Sequence, residues 1–503
     1  MNAATRSLGI VMLALLSACT TPDDQSEPIA LVAETPFSVG STTLFIHDVS
    51  RPYDSIGGIT DGIRILITEV WYPVDHSTAN LNRDVLHRAT YGDYVFGDRD
   101  MHRLMMTNTT FFHLTPDTVR EGVTTEQIDA AIEELFNRER KSLVDAPLTA
   151  SQGPLPVIVM THGDAGSRYN MESVCEYLAG HGYVVIAPEH TGNSPYSLSG
   201  RDPALDPERG DTELRASMAN VLNQLSPLGA YGSDETYGQT YIPTGGGANP
   251  LTYLKNLDAA LLQRLNDLRA TIDELERMNE RGFASRGPGA LDLSKIGLMG
   301  RSFGGASTLI GLAMEPRITA GFAVVPPGWA NPRPTFPNEA LATPGEESVL
   351  FASEGAFPLG TISKPTVLLS GAEDALIIGL GKRVAEMGGA PQPTADNPHP
   401  LMRAAYEETS APVVWGLLND SDHSTFGVSG GYWWPDLKPN TKSRTFDPDV
   451  KFQLVSPFLA HEMQQELALA FFEVTIRENK AAKERLLDNR YRDQGLMLES
   501  RNF

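Results

Sequence analysis

The stretch Leu293–Met314, LSKIGLMGRSFGGASTLIGLAM, passes from a strand pattern into a helix pattern with no connecting loop. Lys295–Met299 reads as a strand that runs straight into Gly300, and a helix starts at Phe303. A turn this sharp strains the backbone of Ser302 and crowds neighbouring Cβ atoms, so glycine is needed at Gly300 and Gly304. The expected product is a nucleophile elbow, which lifts the Ser302 hydroxyl above a sheet at a helix N-terminus. A Gly-x-Ser-x-Gly pattern by itself also occurs by chance. The strand before it and the helix after it carry the inference here.

Such an elbow needs a parallel sheet around it, and the flanking sequence supplies one. "LPVIVMTHG" (155–163) and "YVVIAPEH" (183–190) are short apolar runs separated by the helical pattern "SVCEYLAGHG". Continuous apolar runs suit strands buried on both faces. A long helix is expected over 251–280. Later strands are expected in "ITAGFAVVPP", "KPTVLLSGAED" and "APVVWGLLNDSDHSTFG", with a closing helix over 456–478. Two β-rich segments, 42–49 and 63–73, come before the alternation. Thr124 and Gln127 form a capping-box pattern at the head of another helix. Alternating strands and helices imply one α/β domain over 37–503 with a mostly parallel sheet flanked by helices. Insertions are expected at about 86–150, 191–250 and 326–364. The triple glycine at 245–247 follows no strand and reads as loop.

A serine hydroxyl is a weak nucleophile and needs a base, which in turn needs an orienting acid. In this type of fold they follow in the order serine, acid, histidine. Asp374 lies just past one later strand and His423 just past another, both at the sheet edge that carries the elbow. Asp374 could equally be a helix N-cap, and Glu373 is its nearest rival. His399 falls in a proline-rich loop and His461 inside the closing helix, so His423 is the expected base. The oxyanion of a tetrahedral intermediate needs two N–H donors. Phe303 is assigned one and Asp164, in "THGDAGSR", the other. The Asp164 carboxylate must then point away, because a negative group would oppose the oxyanion. His162 is expected to pack beneath this loop. No metal and no cofactor is expected.

The chain opens "MNAATRSLGIVMLALLSACTTPDD". A basic residue, a short apolar run and Leu16-Ser17-Ala18-Cys19 fit a lipoprotein signal over 1–18 with lipidation at Cys19. The alternative is an ordinary signal cut near Ala18. Residues 19–36 read as a tether. Thr20 in place of aspartate points to an outer-membrane lipoprotein of an exported bacterial type. Cys175 is then the one other cysteine of the two in the chain, so no internal disulfide is expected and the thiol is expected to be buried and inert. The formal net charge of −23 argues against nucleic acid and anionic lipid surfaces as partners. The membrane link would therefore be the lipid anchor.

"THGDAGSR", "HGYVVIAPEHTGNS", "DLSKIGLMGRSFGGAS" and the "WYP" of the second strand together resemble the plasma-type platelet-activating factor acetylhydrolases and their bacterial dienelactone-hydrolase-like relatives, over roughly residues 40–477. The resemblance implies an α/β-hydrolase fold and a metal-free serine esterase acting on short-acyl or activated esters or lipids. Two departures stand out. The plasma enzymes take their acid from the strand after the elbow helix, but here that strand ends "GFAVVPPGW" with no acid. Arg301 also replaces a common histidine. Dienelactone hydrolases proper use cysteine as nucleophile, where this chain has serine. A peptidase, amidase or acyltransferase could use the same triad, and a non-enzymatic binding lipoprotein could reuse the fold. Trp329, Tyr432, Trp433 and Trp434 are candidates for a pocket wall or for core.

Overall fold

The computed structural model describes residues 35–81, 85–108, 114–224, 249–328, 331–355, 357, 362–388 and 390–503. The signal segment, Cys19, most of the tether, the triple glycine and Trp329 lie outside the described residues. Residues 36–503 form one compact unit. Its strands are β1 (Ser38–Asp48), β2 (Arg64–Val74), β3 (Arg88–Thr90), β4 (Glu139–Val144), β5 (Leu155–Thr161), β6 (Val184–Pro188), β7 (Leu291–Arg301), β8 (Ile318–Val324), β9 (Thr366–Gly371), β10 (Val413–Leu418), β11 (Thr441–Ser443), β12 (Lys451–Gln453) and β13 (Leu496–Arg501). Apart from the β11–β12 pair, they form one sheet in the order β13-β10-β9-β8-β7-β5-β6-β2-β1-β4-β3. The six strands from β6 to β10 in that order pair in parallel. β2 joins β6 antiparallel, and β13 closes the other side antiparallel to β10. This is the α/β-hydrolase fold.

The apolar runs read as two-sided strands because each feeds two cores. Ile158 and Met160 of β5 pack into one buried cluster, while Val157 and Val159 pack into the other. β6 divides in the same way, with Val185 and Ala187 on one face and Val184 and Ile186 on the opposite face. Side chains alternate across a strand, so a strand covered on both faces must be apolar throughout. The covering helices used below are α1 (Thr125–Asn137), α2 (Glu172–Gly180), α3 (Pro250–Arg281), α4 (Phe303–Met314), α5 (Ala375–Glu386), α6 (Pro400–Glu408) and α7 (Pro457–Thr475). At α1, Thr124 and Gln127 form the capping box that their spacing suggests.

One expectation changes. The span 86–150 is not only a loop insertion, because its β4 pairs in parallel with β1, Val39 opposite Ser142, and extends the sheet. Cys175 is fully buried, and burial pushes its thiol well above the ordinary range. Trp433 and Trp434 are buried in the core. Trp433 meets the Tyr91 ring edge-on at 4.9 Å between centroids. Tyr432 stacks on the buried His461 at 4.2 Å.

Three buried imidazoles give the fold a defined acid sensitivity. Burial pushes His102 down to about 4, His190 to about 4 and His461 to about 3. In the unfolded chain the same groups take up protons near pH 6.5. The unfolded state therefore binds more protons across this window, and stability falls as pH drops from about 6.5 toward 4. Thermal melts should show Tm decreasing over that range, with a shallower decrease in His102→Leu. A Tm that rises on acidification would contradict this assignment.

Candidate active site

β7 ends at Arg301 and α4 begins at Phe303, which leaves Ser302 alone at the elbow. Its backbone lies at φ 59° and ψ −123°, a region costly for a residue with a side chain. Such conformations cost on the order of 1–3 kcal/mol and persist only where the surroundings impose them. Here the Ser302 N–H is tied to the Val324 carbonyl at 2.8 Å. The flanking glycines leave no choice of residue. A Cβ at Gly300 would sit 2.3 Å from the Gly304 carbonyl oxygen, and one at Gly304 would sit 2.0 Å from the carbonyl oxygen of Thr161.

The three residues expected to act together are brought together. Ser302 Oγ lies 2.9 Å from His423 Nε2, and His423 Nδ1 lies 2.7 Å from Asp374 Oδ2. Asp374 is fully buried and makes the contacts that both readings of its sequence position require. Its Oδ1 accepts the Ile377 N–H at 3.0 Å as the N-cap of α5, while Oδ2 faces the imidazole. The neighbouring acids are engaged elsewhere. Glu373 accepts from Arg444 at 2.9 Å and from the Thr445 N–H at 2.7 Å. Asp420 pairs with the same arginine at 2.7 Å. Asp422 caps the short turn His423–Phe426 and pairs with Lys442 at 3.2 Å. His399 gives its Nε2 to the Gly371 carbonyl, and His461 meets Ser173.

Arg301, next to Ser302, is 8% exposed. Its guanidinium donates to the His423 carbonyl oxygen and, at 3.4 Å, to Asn170 Oδ1. Burial pushes it down to about 10, partly offset by Asp374 and Asp422. Space for it exists because Gly427 has no side chain; a Cβ there would lie 3.1 Å from Nε and Cζ. The arginine thus fastens the loop that carries His423. A cavity of about 710 Å³ opens on this side, lined by Arg301, His423, Lys438, Lys442, Leu376 and Phe458 among others.

The oxyanion-loop candidates lie at the end of β5. Gly163 backs onto the serine, so that a Cβ on it would be 3.2 Å from Ser302 Cβ. The Asp164 carboxylate accepts from Asn193 Nδ2 at 2.6 Å, a restraint the charge argument called for. His162 is buried beneath the loop. Its Nδ1–H donates to the Gly163 carbonyl at 2.7 Å, and its Nε2 accepts the His190 N–H at 2.9 Å. Burial and the Arg264 charge hold its imidazole well below the usual range, so it stays neutral. Phe303 opens α4, where backbone N–H groups have no acceptor within the helix.

Sequence reasoning missed the charges beneath this loop. Arg264 and Asp267 of α3 are fully buried. Asp267 binds Arg64 through both oxygens, at 2.5 and 2.7 Å, and His190 Nδ1 at 2.9 Å. Burial raises its carboxyl, but the Arg64 and Arg51 guanidiniums overcome this and hold it far below the usual range. The signal was present: Arg264 and Asp267 lie among Leu261, Leu265 and Leu268, on the face that a helix would turn inward. Among the described residues no group of three or more His, Cys, Asp or Glu side chains could hold a metal ion.

The family described as "Platelet-activating factor acetylhydrolase, isoform II" matches residues 124–215, from the cap of α1 through the loop after β5 and β6. The chain has the α/β-hydrolase fold and is similar to that family over this stretch. The matched stretch ends before the elbow, so Ser302, Asp374 and His423 lie outside it. A Schizosaccharomyces pombe protein named "Putative phospholipase A2" is 45% identical over 58 residues, 12% of this chain. The chain matches only 13% of that relative's length. A ferulic acid esterase from Streptomyces cinnamoneus has the same fold, with a TM-score of 0.51 and 17% identity over 92% of this chain and 97% of its own.

The elbow yields a direct test. Gly304→Ala should fail to accumulate as folded protein, because backbone stands where the new methyl would go. Gly153→Ala, with nothing within 4 Å of its Cβ position, should melt like the parent. A normal melting curve for Gly304→Ala would show that β5 and α4 do not approach as described.

Proposed function

We propose that the protein is a serine carboxylic-ester hydrolase working through an acyl-enzyme. The observation that carries this reading is the chain Ser302 Oγ, His423, Asp374, with contacts of 2.9 and 2.7 Å, mounted on a strained elbow. The family likeness over 124–215 and the phospholipase-named and esterase-named proteins support the same class. As Ser302 Oγ bonds to the ester carbonyl carbon, its proton passes to His423 Nε2 and the carbonyl π pair moves onto oxygen. Asp374 stabilises the imidazolium and holds its tautomer. The Phe303 and Asp164 N–H groups receive the oxyanion. Collapse breaks the bond to the leaving alcohol, which takes the proton from Nε2. Water then repeats the sequence on the acyl-enzyme and releases the acid. Short-acyl or activated esters, soluble or lipid, are the proposed substrates.

A fluorophosphonate probe should label Ser302, and Ser302→Ala should abolish both labelling and p-nitrophenyl ester turnover while keeping its melting temperature. Asp374→Asn should lower kcat by about 10⁴, as loss of the acid does in such triads. Because asparagine still caps a helix, α5 should survive the change. Glu373→Gln, Asp420→Asn and Asp422→Asn should each stay within about tenfold, roughly 1.4 kcal/mol of barrier. Label on another serine, or collapse of an Asp420 or Asp422 variant with Asp374→Asn intact, would overturn these roles. Faster turnover of a matched anilide than of the ester would favour an amidase.

We further propose that the protein is exported and lipid-anchored through Cys19, on the pattern Leu16-Ser17-Ala18-Cys19. Among the described residues no helix is long and apolar enough to cross a membrane. Cys19→Ser should release the protein from membranes and end fatty-acid incorporation. Unchanged membrane fractionation would reject the anchor.

A further inference from the structure

Resting on the esterase reading, we propose that Arg264 is a positioning residue for the oxyanion site: its buried guanidinium fixes and polarises the Gly163–Asp164 peptide so that the Asp164 N–H is a strong donor. Arg264 projects from the middle of α3 beneath the loop after β5. Its Nη1 donates to the His162 carbonyl at 2.5 Å, and its Nη2 to the Gly163 carbonyl at 3.0 Å. Its Nε donates to Asn193 Oδ1 at 2.9 Å. The guanidinium also lies 4.7 Å from the centroid of the Phe303 ring. One cation therefore meets the Phe303 ring and the carbonyl of the peptide whose N–H, that of Asp164, is assigned to the oxyanion.

The Gly163 carbonyl receives three donors: the His162 ring at 2.7 Å, Arg264 at 3.0 Å and the Gly166 N–H at 3.1 Å. No peptide bond among the described residues is cis. In a trans peptide the C=O and the following N–H point in opposite directions. Gathering three donors on the Gly163 oxygen therefore aims the Asp164 N–H away from Arg264. Gly163 itself stands against Ser302, so this peptide borders the nucleophile. Hydrogen bonds to a carbonyl also polarise its peptide unit, and its N–H becomes a better donor in a low-dielectric site. The positive charge behind the peptide acts in the same sense when negative charge develops on the substrate oxygen.

The same arginine accounts for the carboxylate. Asn193 accepts from Arg264 with its amide oxygen and donates to Asp164 Oδ1 with its nitrogen. The amide's orientation is thus set by the guanidinium, and it restrains the one negative group on the loop. Ala165, at φ 48°, completes the turn closed by the Gly166-to-Gly163 bond. That left-handed residue without glycine's freedom is a further sign that the loop conformation is imposed from below.

The test compares wild type, Arg264→Met and Arg264→Lys, with active sites titrated by fluorophosphonate so that unfolded molecules are not counted. A p-nitrophenyl short-acyl ester gives kcat and KM. A trifluoromethyl ketone, which forms a tetrahedral alkoxide on the serine, reports the oxyanion site directly. We expect Arg264→Met to lose about 100-fold in kcat, the scale of one oxyanion donor, with KM within threefold. The ketone's Ki should rise in step with the loss in kcat/KM. Lysine keeps the charge but cannot fork to both carbonyls, so Arg264→Lys should lose about tenfold in both measures. It decides the matter if the methionine variant does not fold. A purely structural arginine would lower Tm while titrated kcat and ketone affinity stayed at wild-type values in Arg264→Lys, and that result would overturn the proposal. If wild type neither hydrolyses the ester nor labels at Ser302, the esterase reading falls and this inference falls with it.

Discussion

The site depends on how closely β5 and the start of α4 approach. Gly304 lies so near the Thr161 carbonyl that a single methyl group would overlap it. That contact fixes the height of the elbow relative to the end of β5, and with it the distance from Ser302 to the loop His162–Gly166. The strained Ser302 backbone is a consequence of this approach rather than a separate feature. β7, β8 and β9 then set where the next loops emerge, and Asp374 and His423 arrive from strand ends lying farther along the same sheet. Close backbone packing thus does the positioning that hydrogen bonds among the three side chains complete.

The parts legible in sequence were those where one local pattern fixes one outcome. α4 occupies Phe303–Met314, the residues its helix pattern marks, because the elbow pins its start and Glu315 ends it without ambiguity. The strand runs at 155, 183 and 413 were legible because burial on both faces forbids polar residues there. Asp374 was legible as a cap and as a partner for His423, and it makes both contacts because its two oxygens face different groups. β4 and β13 were not legible. Their residues, Glu139–Val144 and Leu496–Arg501, mix polar with apolar side chains because each lies near a sheet edge and shows a face to solvent. Arg264 and Asp267 escaped notice for a different reason. Charges inside an apolar helical face look like surface residues until partners from distant segments, Arg64, His162 and Asn193, are seen around them.

The buried charges also explain how an acidic protein keeps cations at its site. With a net charge of −23, most of its arginines could pair with abundant carboxylates on the surface. Arg264 and Arg301 instead donate to neutral oxygens, those of His162, Gly163, Asn193 and the His423 carbonyl. A bond to a carbonyl oxygen neutralises a guanidinium less than a bond to a carboxylate does.

β13 has an effect that reaches the histidine loop. It pairs with β10 along all six residues, Val413 to Leu418, and the Gly495 carbonyl then takes the Asn419 N–H at 3.0 Å. The strand that delivers His423 is therefore an interior strand, and the fraying expected of a sheet edge falls on β13 instead. In amide-exchange terms, β10 can open only after β13 has peeled away or with the whole unit. His423 thus follows a strand that is paired on both sides, although its own loop reaches the surface.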